Sequence, residues 1–459
     1  MNSLTSRQRK IVYAICILIL LWPIIYFGAP VTEDIRPGTQ NQNVEGGKLA
    51  RMRHEHELGE STIGAIDPSS AAANLVLLGF RGLAASVLHA HAIDYQTRKD
   101  WAKLKTTVET ILRLQPHYVE VWKFQGWNLA FNVSREWDRV DDRFYWVKEG
   151  LKFLQKGTER NSTATILFHN VGDFVGRKIG YSDEKQFFRR FFISDPDDEK
   201  FEGEADSEIN PDGKDNYLVA RDWFLEANER DRIYPVKGMT RELFRKSPSQ
   251  ALFDYANAIT AEGKFEQSAI AWRDAYTEWR DVFGNEVFFG NDNIPYKLYS
   301  TRKELAEMAE QNGVTLRRQT IIHEQRTKMV NYNFWLNLSE CERDEVTVAA
   351  RKAIFRGKQE YAEGNVFDDI DDNGKLHSST AQNLFEEGIE KTREMFDLYP
   401  GVLDNDDKIL DALLAVHYWK EIQKLNATVP RADHALAQFA EDYRAYQSEV
   451  EKMFQRETN

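Results

Sequence analysis

A motif that recurs at a 34-residue interval constrains this chain more than any other feature. Leu88 and Trp122 stand 34 residues apart, and the small residues Ala92 and Gly126, one helical turn further on, repeat the interval. Pro116 closes the first copy in the stretch Leu112-Arg113-Leu114-Gln115-Pro116. A bulky residue, a small residue and a closing proline at this period describe a helix–turn–helix repeat. One hairpin cannot bury its apolar stripe alone, so successive hairpins must stack into an open array. Such arrays hold other molecules and rarely perform chemistry, which predicts a binding scaffold and no enzyme.

The apolar periodicity extends the pattern. Leu83, Val87, Leu88, Ala92 and Tyr95 fall on one helical face, and Arg98-Lys99-Asp100 makes a turn. Trp101, Leu104, Val108, Ile111 and Leu112 supply the return helix. The second copy opens at Val119, where Gly126 permits close approach of two backbones. Its return helix, Asp141 to Gln155, follows a loop through 132–140, and a third opening helix begins at Thr165 with Phe168 and Gly172. Gly172, Gly176 and Gly180 share a helix face suited to packing. Further hairpins are expected at Gln250–Trp279 and Val346–Pro400, and terminal helices near Lys408–Leu425 and Arg431–Gln455. Trp101, Trp122 and Trp272 sit at core positions of this scheme.

Two segments interrupt the helices. Residues 194–215 carry ten acids against two lysines, with prolines and glycine, and are expected to form a loosely ordered or disordered acidic loop. Asp369-Ile370-Asp371-Asp372-Asn373-Gly374 has the opening carboxylate spacing of a calcium loop, but Thr380 stands where the twelfth position needs a bidentate glutamate. A flexible polar insertion is the expected form.

The N-terminus sets the compartment. Residues 11–28 are uncharged and almost wholly apolar, and eighteen residues at ~1.5 Å each reach roughly 27 Å, close to the hydrocarbon core of a bilayer. Arg7, Arg9 and Lys10 precede the run, and Glu33 and Asp34 follow it. The positive-inside rule keeps residues 1–10 cytoplasmic and sends the rest of the chain across, to the periplasmic or outer side. The run is longer than a signal-peptide core, so a single-pass anchor in the cell membrane is expected, with the lipid bilayer as a partner through 11–28. Residues 29–70 read as a linker, and Asp67-Pro68-Ser69-Ser70 as a helix start. Cys16 and Cys341 are the two cysteines, one inside the apolar run and one far from it, so no intrachain disulfide is expected. A net charge of −13 argues against nucleic acid, which would need a basic face, and no nucleic acid partner is expected.

Motifs of catalysis are sparse. Arg53-His54-Glu55-His56-Glu57 spaces its histidines two apart, which diverge on a helix instead of converging on a metal. His89 and His91 have the same spacing, and His117 and His169 lie in the same repeat region. A helical metal- or ligand-binding protein, or an enzyme, using a histidine/carboxylate site is the alternative to the scaffold; neither a metal nor a cofactor is assigned.

In the hairpin at Gln250–Trp279, Gly263 is the turn glycine, Ala256, Ser268 and Ala275 are small, and Tyr255, Phe265 and Trp272 are large. This resembles the tetratricopeptide repeat. The first copy matches through Ala92, Trp101 and Pro116 and departs at His91 and Leu104. The stretch from Gly82 to Leu151 resembles a group of membrane-anchored, repeat-containing bacterial proteins, notably from planctomycetes, which has no established activity. The resemblance implies an all-α fold of tetratricopeptide-like helical hairpins forming a superhelical array after one transmembrane helix, with repeats over 71–193, 216–310 and 311–459. It brings no catalytic residues. It also implies a concave groove lined by His89, Ile93 and Gln96 from the first copy, Lys123, Trp127 and Phe131 from the second, and His169, Asp173 and Arg177 from the third. A Trp and a Phe bracketed by Lys and Arg suit an extended peptide or a helix. The alternative is that Trp127 and Phe131 pack against the insertion at 132–140.

Overall fold

The computed structural model describes residues 81–458 apart from 291–292, 371–375 and 427–432. The apolar run at 11–28, the linker at 29–70, the histidines at 53–57 and most of the calcium-like loop lie outside the described residues. Among the described residues the chain is nearly all helix, with only two-residue strands. It divides into two compact units, one ending at Gly213 and including Glu229–Val236, the other comprising Lys214–Asn228 and Lys237–Asn459.

The first unit opens with a hairpin of α1 (Arg81–Thr97) and α2 (Trp101–Leu114). Asp100 caps α2 by accepting from the Lys103 backbone N–H at 3.3 Å. Ala85, Ala92, Leu104, Val108 and Ile111 form its core with Val121. A second hairpin joins α3 (Val119–Asn128) to α4 (Val140–Arg160). Here the small residues decide the geometry. A Cβ on Gly150 would lie 2.5 Å from the Gly126 carbonyl oxygen, and one on Gly126 would lie 3.1 Å from the Gly150 oxygen. Two turns further along α4, Gly157 lies under Trp122, whose ring atoms would be 3.0 Å from an added Cβ. The buried Trp122 indole donates to the Pro116 carbonyl at 2.7 Å, and Asn161 Nδ2 donates to the same oxygen at 3.3 Å. The closing proline of the first copy is thus the anchor of the second. Helix α5 (Thr165–Phe174) follows, with Phe168 and Gly172 buried. Both α3 and α5 continue into π turns, Leu129–Val133 and Val175–Ile179.

After α6 (Lys185–Ile193) the acidic segment corrects the sequence expectation. It is ordered. It forms the short helix α7 (Asp198–Phe201) and folds over α4. Asp195 and Asp206 are buried. Asp195 pairs with Lys148, while Asp206 lies 2.8 Å from Lys152 Nζ and 3.4 Å from Lys148 Nζ. Phe201 receives the Lys148 ammonium at 4.4 Å from its ring centroid. The acid count suggested disorder, but the cations that neutralise this segment lie on a helix some fifty residues earlier, where local composition does not show them.

The second unit uses the same hairpin grammar. Helix α8 (Asn216–Asp231) contributes its first thirteen residues to this unit. After α9 (Arg241–Arg245), α10 (Ser247–Ala261) and α11 (Phe265–Thr277) pair around Gly263, whose φ of +78° requires a residue without a side chain. A ribbon of β1 (Phe288–Phe289) and β2 (Pro295–Tyr296) precedes α12 (Arg302–Gln311), α13 (Leu316–Met329) and α14 (Tyr332–Glu342). Then α15 (Glu345–Ala362) and α16 (Thr380–Leu398) form a long hairpin, with β3 (Asp369–Ile370) pairing β4 (Leu376–His377) between them. Helix α17 (Asp406–Leu425) packs on α16, and α18 (Ala437–Asp442) and α19 (Gln447–Thr458) end the chain. The buried Glu342 receives Lys408 at 2.6 Å and Arg351 at 3.1 Å. Burial alone would raise its pKa, but these two cations hold it down to about 2.

Three smaller expectations also change. Leu83 and Val87 are 65% and 50% exposed, so the buried stripe of α1 is Ala85 and Ala92, with Leu88 half-buried. Trp101 is half-buried, unlike Trp122 and Trp272, which are core. The single helix expected over Arg431–Gln455 is broken at Tyr443–Tyr446 into α18 and α19. The all-α class holds. Among the described residues no helix is long and apolar enough to cross a membrane.

Two consequences are measurable. Gly150→Ala lowers stability by roughly 1–3 kcal/mol, since its methyl meets backbone and not a movable side chain; an unchanged urea midpoint would contradict the close approach. For the acidic strap, burial opposes the Asp206 charge, but Lys152, the Glu208 N–H and Lys148 outweigh it and hold the pKa below the ordinary carboxyl value. A depressed carboxyl contributes stability that is present above its unfolded pKa of about 3.9 and is lost as pH falls through the folded value. Lys152→Gln therefore costs roughly 1–3 kcal/mol at pH 7, and the difference from wild type shrinks between pH 5 and pH 3. An equal difference at both ends would exclude the pairing.

Candidate functional site

Two adjoining depressions mark the first unit where α1, α3 and the π turn after α3 converge. The first, about 370 Å³, is lined by Gln96, Glu120, Lys123, Phe124, Trp127, Asn128, Phe131 and Asn132. The second, about 570 Å³, shares Gln96 and Asn132 and adds Thr97, Lys99, Trp101, Arg135 and Glu136. Together they make a groove in which half-buried aromatic rings alternate with amides and charges.

The aromatic floor is braced from several sides. Trp127 stacks on Phe131, with centroids 4.6 Å apart and planes inclined by 17°. Phe174 meets Trp127 edge-on at 5.6 Å. The Lys178 ammonium lies 4.6 Å from the Phe131 centroid and 5.6 Å from that of Phe188. The π turns make this possible. Each widens its helix by a fraction of a turn, bringing Phe131 from one and Lys178 from the other into contact. Lys178 is buried, and burial pushes its pKa below the ordinary lysine value; Glu184 supports the charge, and Arg135 and Arg143 oppose it. Trp127 and Phe131 therefore pack on each other, on Phe174 and beneath Lys178.

Asn128 and Asn132 stand one helical turn apart on the groove wall. Asn132 Nδ2 donates to Asn128 Oδ1 at 2.9 Å. Asn128 is 2% exposed, and its Nδ2 has no hydrogen-bond partner. Its neighbour Gln125 is also buried, with Oε1 unpaired. Lys123 is tied to Glu120 at 3.2 Å, leaving the rim near neutral.

Four of the sequence-predicted residues, Gln96, Lys123, Trp127 and Phe131, thus meet in one depression. The others do not line it. The His89 ring packs against Tyr118 at 5.6 Å and Phe124 at 5.8 Å, behind the groove wall. Ile93 is 47% exposed on α1. Asp173 and Arg177 pair with each other at 2.7 Å. Burial raises the Asp173 pKa against the pull of Arg177. His169 is largely buried, and burial, helped by Arg177, pushes it down to about 4. Phe124, Asn128 and Asn132 were missed because the repeat register marks only one row of each opening helix, and each of them stands one position beyond a marked residue, Lys123, Trp127 and Phe131. Among the described residues, no group of three or more histidine, cysteine, aspartate or glutamate side chains is placed to hold a metal ion.

Compared with protein-family models and with curated proteins, the chain matches none.

His169 provides a direct check of this environment. Its folded pKa lies below the unfolded value of about 6.5, so its contribution is present above pH 6.5 and is lost as pH falls toward 4. In NMR titration of the imidazole carbons, the resonance removed by His169→Gln stays neutral through pH 5.5, and the variant's stability falls less between pH 6.5 and 4. A midpoint near 6.5 would show the side chain open to solvent.

Proposed function

We propose that this protein is a membrane-anchored interaction scaffold that captures a peptide or a peptide segment of another protein. Residues 11–28 supply the anchor, with the N-terminus cytoplasmic and the helical domain on the periplasmic or outer side. The tetratricopeptide-like hairpins form an array whose groove at Trp127 is the binding surface.

The observation that carries this reading is the half-buried Trp127–Phe131 stack in an open groove flanked by amides and a Lys–Glu pair. A braced aromatic pair loses little side-chain entropy on binding, and partly exposed tryptophan at the centre of a concavity is the residue type on which interface energy concentrates. The half-buried amides of Gln96 and Asn132 beside it supply orientation. The groove binds without needing a reactive group.

The test uses the full chain in nanodiscs and a displayed library of random peptides. Peptides enriched on wild type bind the Trp127→Ala, Lys123→Glu double variant at least tenfold more weakly, as a truncated hot spot requires. Equal affinity for both proteins, with both folded by circular dichroism, would remove the groove from consideration.

A further inference from the structure

The two depressions differ in charge. The first is neutral at its rim, because Lys123 is tied to Glu120 at 3.2 Å. In the second, Lys99 and Glu136 pair at 2.7 Å and cancel. Arg135 is left over. It lines the second depression, is exposed, and its guanidinium makes no ion pair among the described residues. Another cation stands behind it. Lys178 is buried with its ammonium on Phe131, and Glu184, the acid that most supports its charge, is engaged by Arg143 at 2.7 Å. A lone surface arginine says little by itself, but a positive surplus gathered at a concavity stands out in a chain whose net charge is −13. Trp127, Phe131 and Arg135 follow one another at four-residue intervals along continuous helical turns, so the aromatic stack and the guanidinium form one row through both depressions.

We propose that the groove selects an acidic peptide segment, in which a large apolar side chain seats on the Trp127–Phe131 stack and a carboxylate pairs with Arg135. The inference rests on the groove reading above and names the ligand class. Arg135 follows Trp127 by eight residues, which places the two ~12 Å apart along the helix. An extended segment covers that span in about three or four residues, and a helical one in about eight. Arginine suits the task, because its planar fork takes a carboxylate through two parallel hydrogen bonds. Lys178 lies near enough to Arg135 for the two charges to repel. An arriving carboxylate therefore relieves a like-charge contact as well as forming an ion pair.

The experiment uses the full chain in nanodiscs and a displayed library of random linear peptides, selected in parallel on wild type and on Arg135→Glu. Wild type is expected to enrich segments with Asp or Glu at that spacing from an aromatic or large aliphatic residue. Arg135→Glu should enrich Lys or Arg in the same place. For the tightest wild-type peptide, replacing the acid by its amide and replacing Arg135 by Gln should each weaken binding about fivefold. The two changes together should cost little more than either, and wild-type affinity should fall as salt is raised. Arg135 is exposed, so both of its variants should keep the wild-type urea midpoint. Peptides that lose affinity on Trp127→Ala but show no acid preference, or that bind Arg135→Gln within about twofold of wild type, overturn the proposal and leave the groove standing. A library that enriches nothing on wild type over Trp127→Ala removes the groove and this inference together.

Discussion

The first unit depends on how closely α3 and α4 approach. The Gly126 and Gly150 backbones nearly touch, with carbonyl oxygens where side chains would otherwise stand. Helix pairs separated by ordinary side chains sit 8–10 Å apart, and this pair is brought nearer by removing them. The approach seats Trp122 on Gly157 and carries its indole N–H to the Pro116 carbonyl. It also sets the direction in which α3 leaves the hairpin. The next residues of α3, Trp127 and Asn128, face the groove because Gly126 faces α4. Packing and binding surface are thus two sides of one short helix, and the smallest residues determine where the largest one points.

Charge is handled by a different rule in each unit, with a common outcome. On α4, Lys148 and Lys152 collect Asp195, Asp206 and Glu208 from the acidic strap. In the second unit, Glu342 is buried between Arg351 and Lys408 from two further helices. Neither network is cheap to bury, because desolvation offsets much of the attraction. Both specify a partner at long sequence distance, which apolar contacts between similar hairpins do not do. A chain of many amphipathic helices has near-equivalent ways to pair them, and a buried carboxylate that accepts only one set of cations removes most of them.

Much of the helical architecture was legible in the sequence because amphipathic helices write their core at fixed offsets. Ala92, Trp122, Gly126, Gly263 and Trp272 could be placed from spacing alone, and each has the burial or turn geometry its position implies. The failures share a physical cause. Leu83 and Val87 looked core-facing because periodicity identifies an apolar face without showing what covers it. The acidic strap looked disordered because its counter-charges come from α4. His169, Asp173 and Arg177 were expected beside Trp127 because a regular superhelix would align them, but the π turns after α3 and α5 bring Lys178 to the aromatic stack instead. A π turn has no strong signature in a single sequence, so the approach of Lys178 to the stack was not readable.

The groove holds a charge among apolar rings. Lys178 is buried with its ammonium on Phe131 and Phe188, and burial pushes its pKa below the ordinary lysine value. Gln125 Oε1 and Asn128 Nδ2 are buried without partners, but so are amide atoms of Asn161, Asn312 and Gln319, so an unsatisfied amide does not mark the groove. What sets it apart is the Trp127–Phe131 stack, half-buried in an open concavity and braced by Phe174 and Lys178. A braced aromatic pair is held in place before any partner arrives, which lowers the entropy that binding must spend on ordering it.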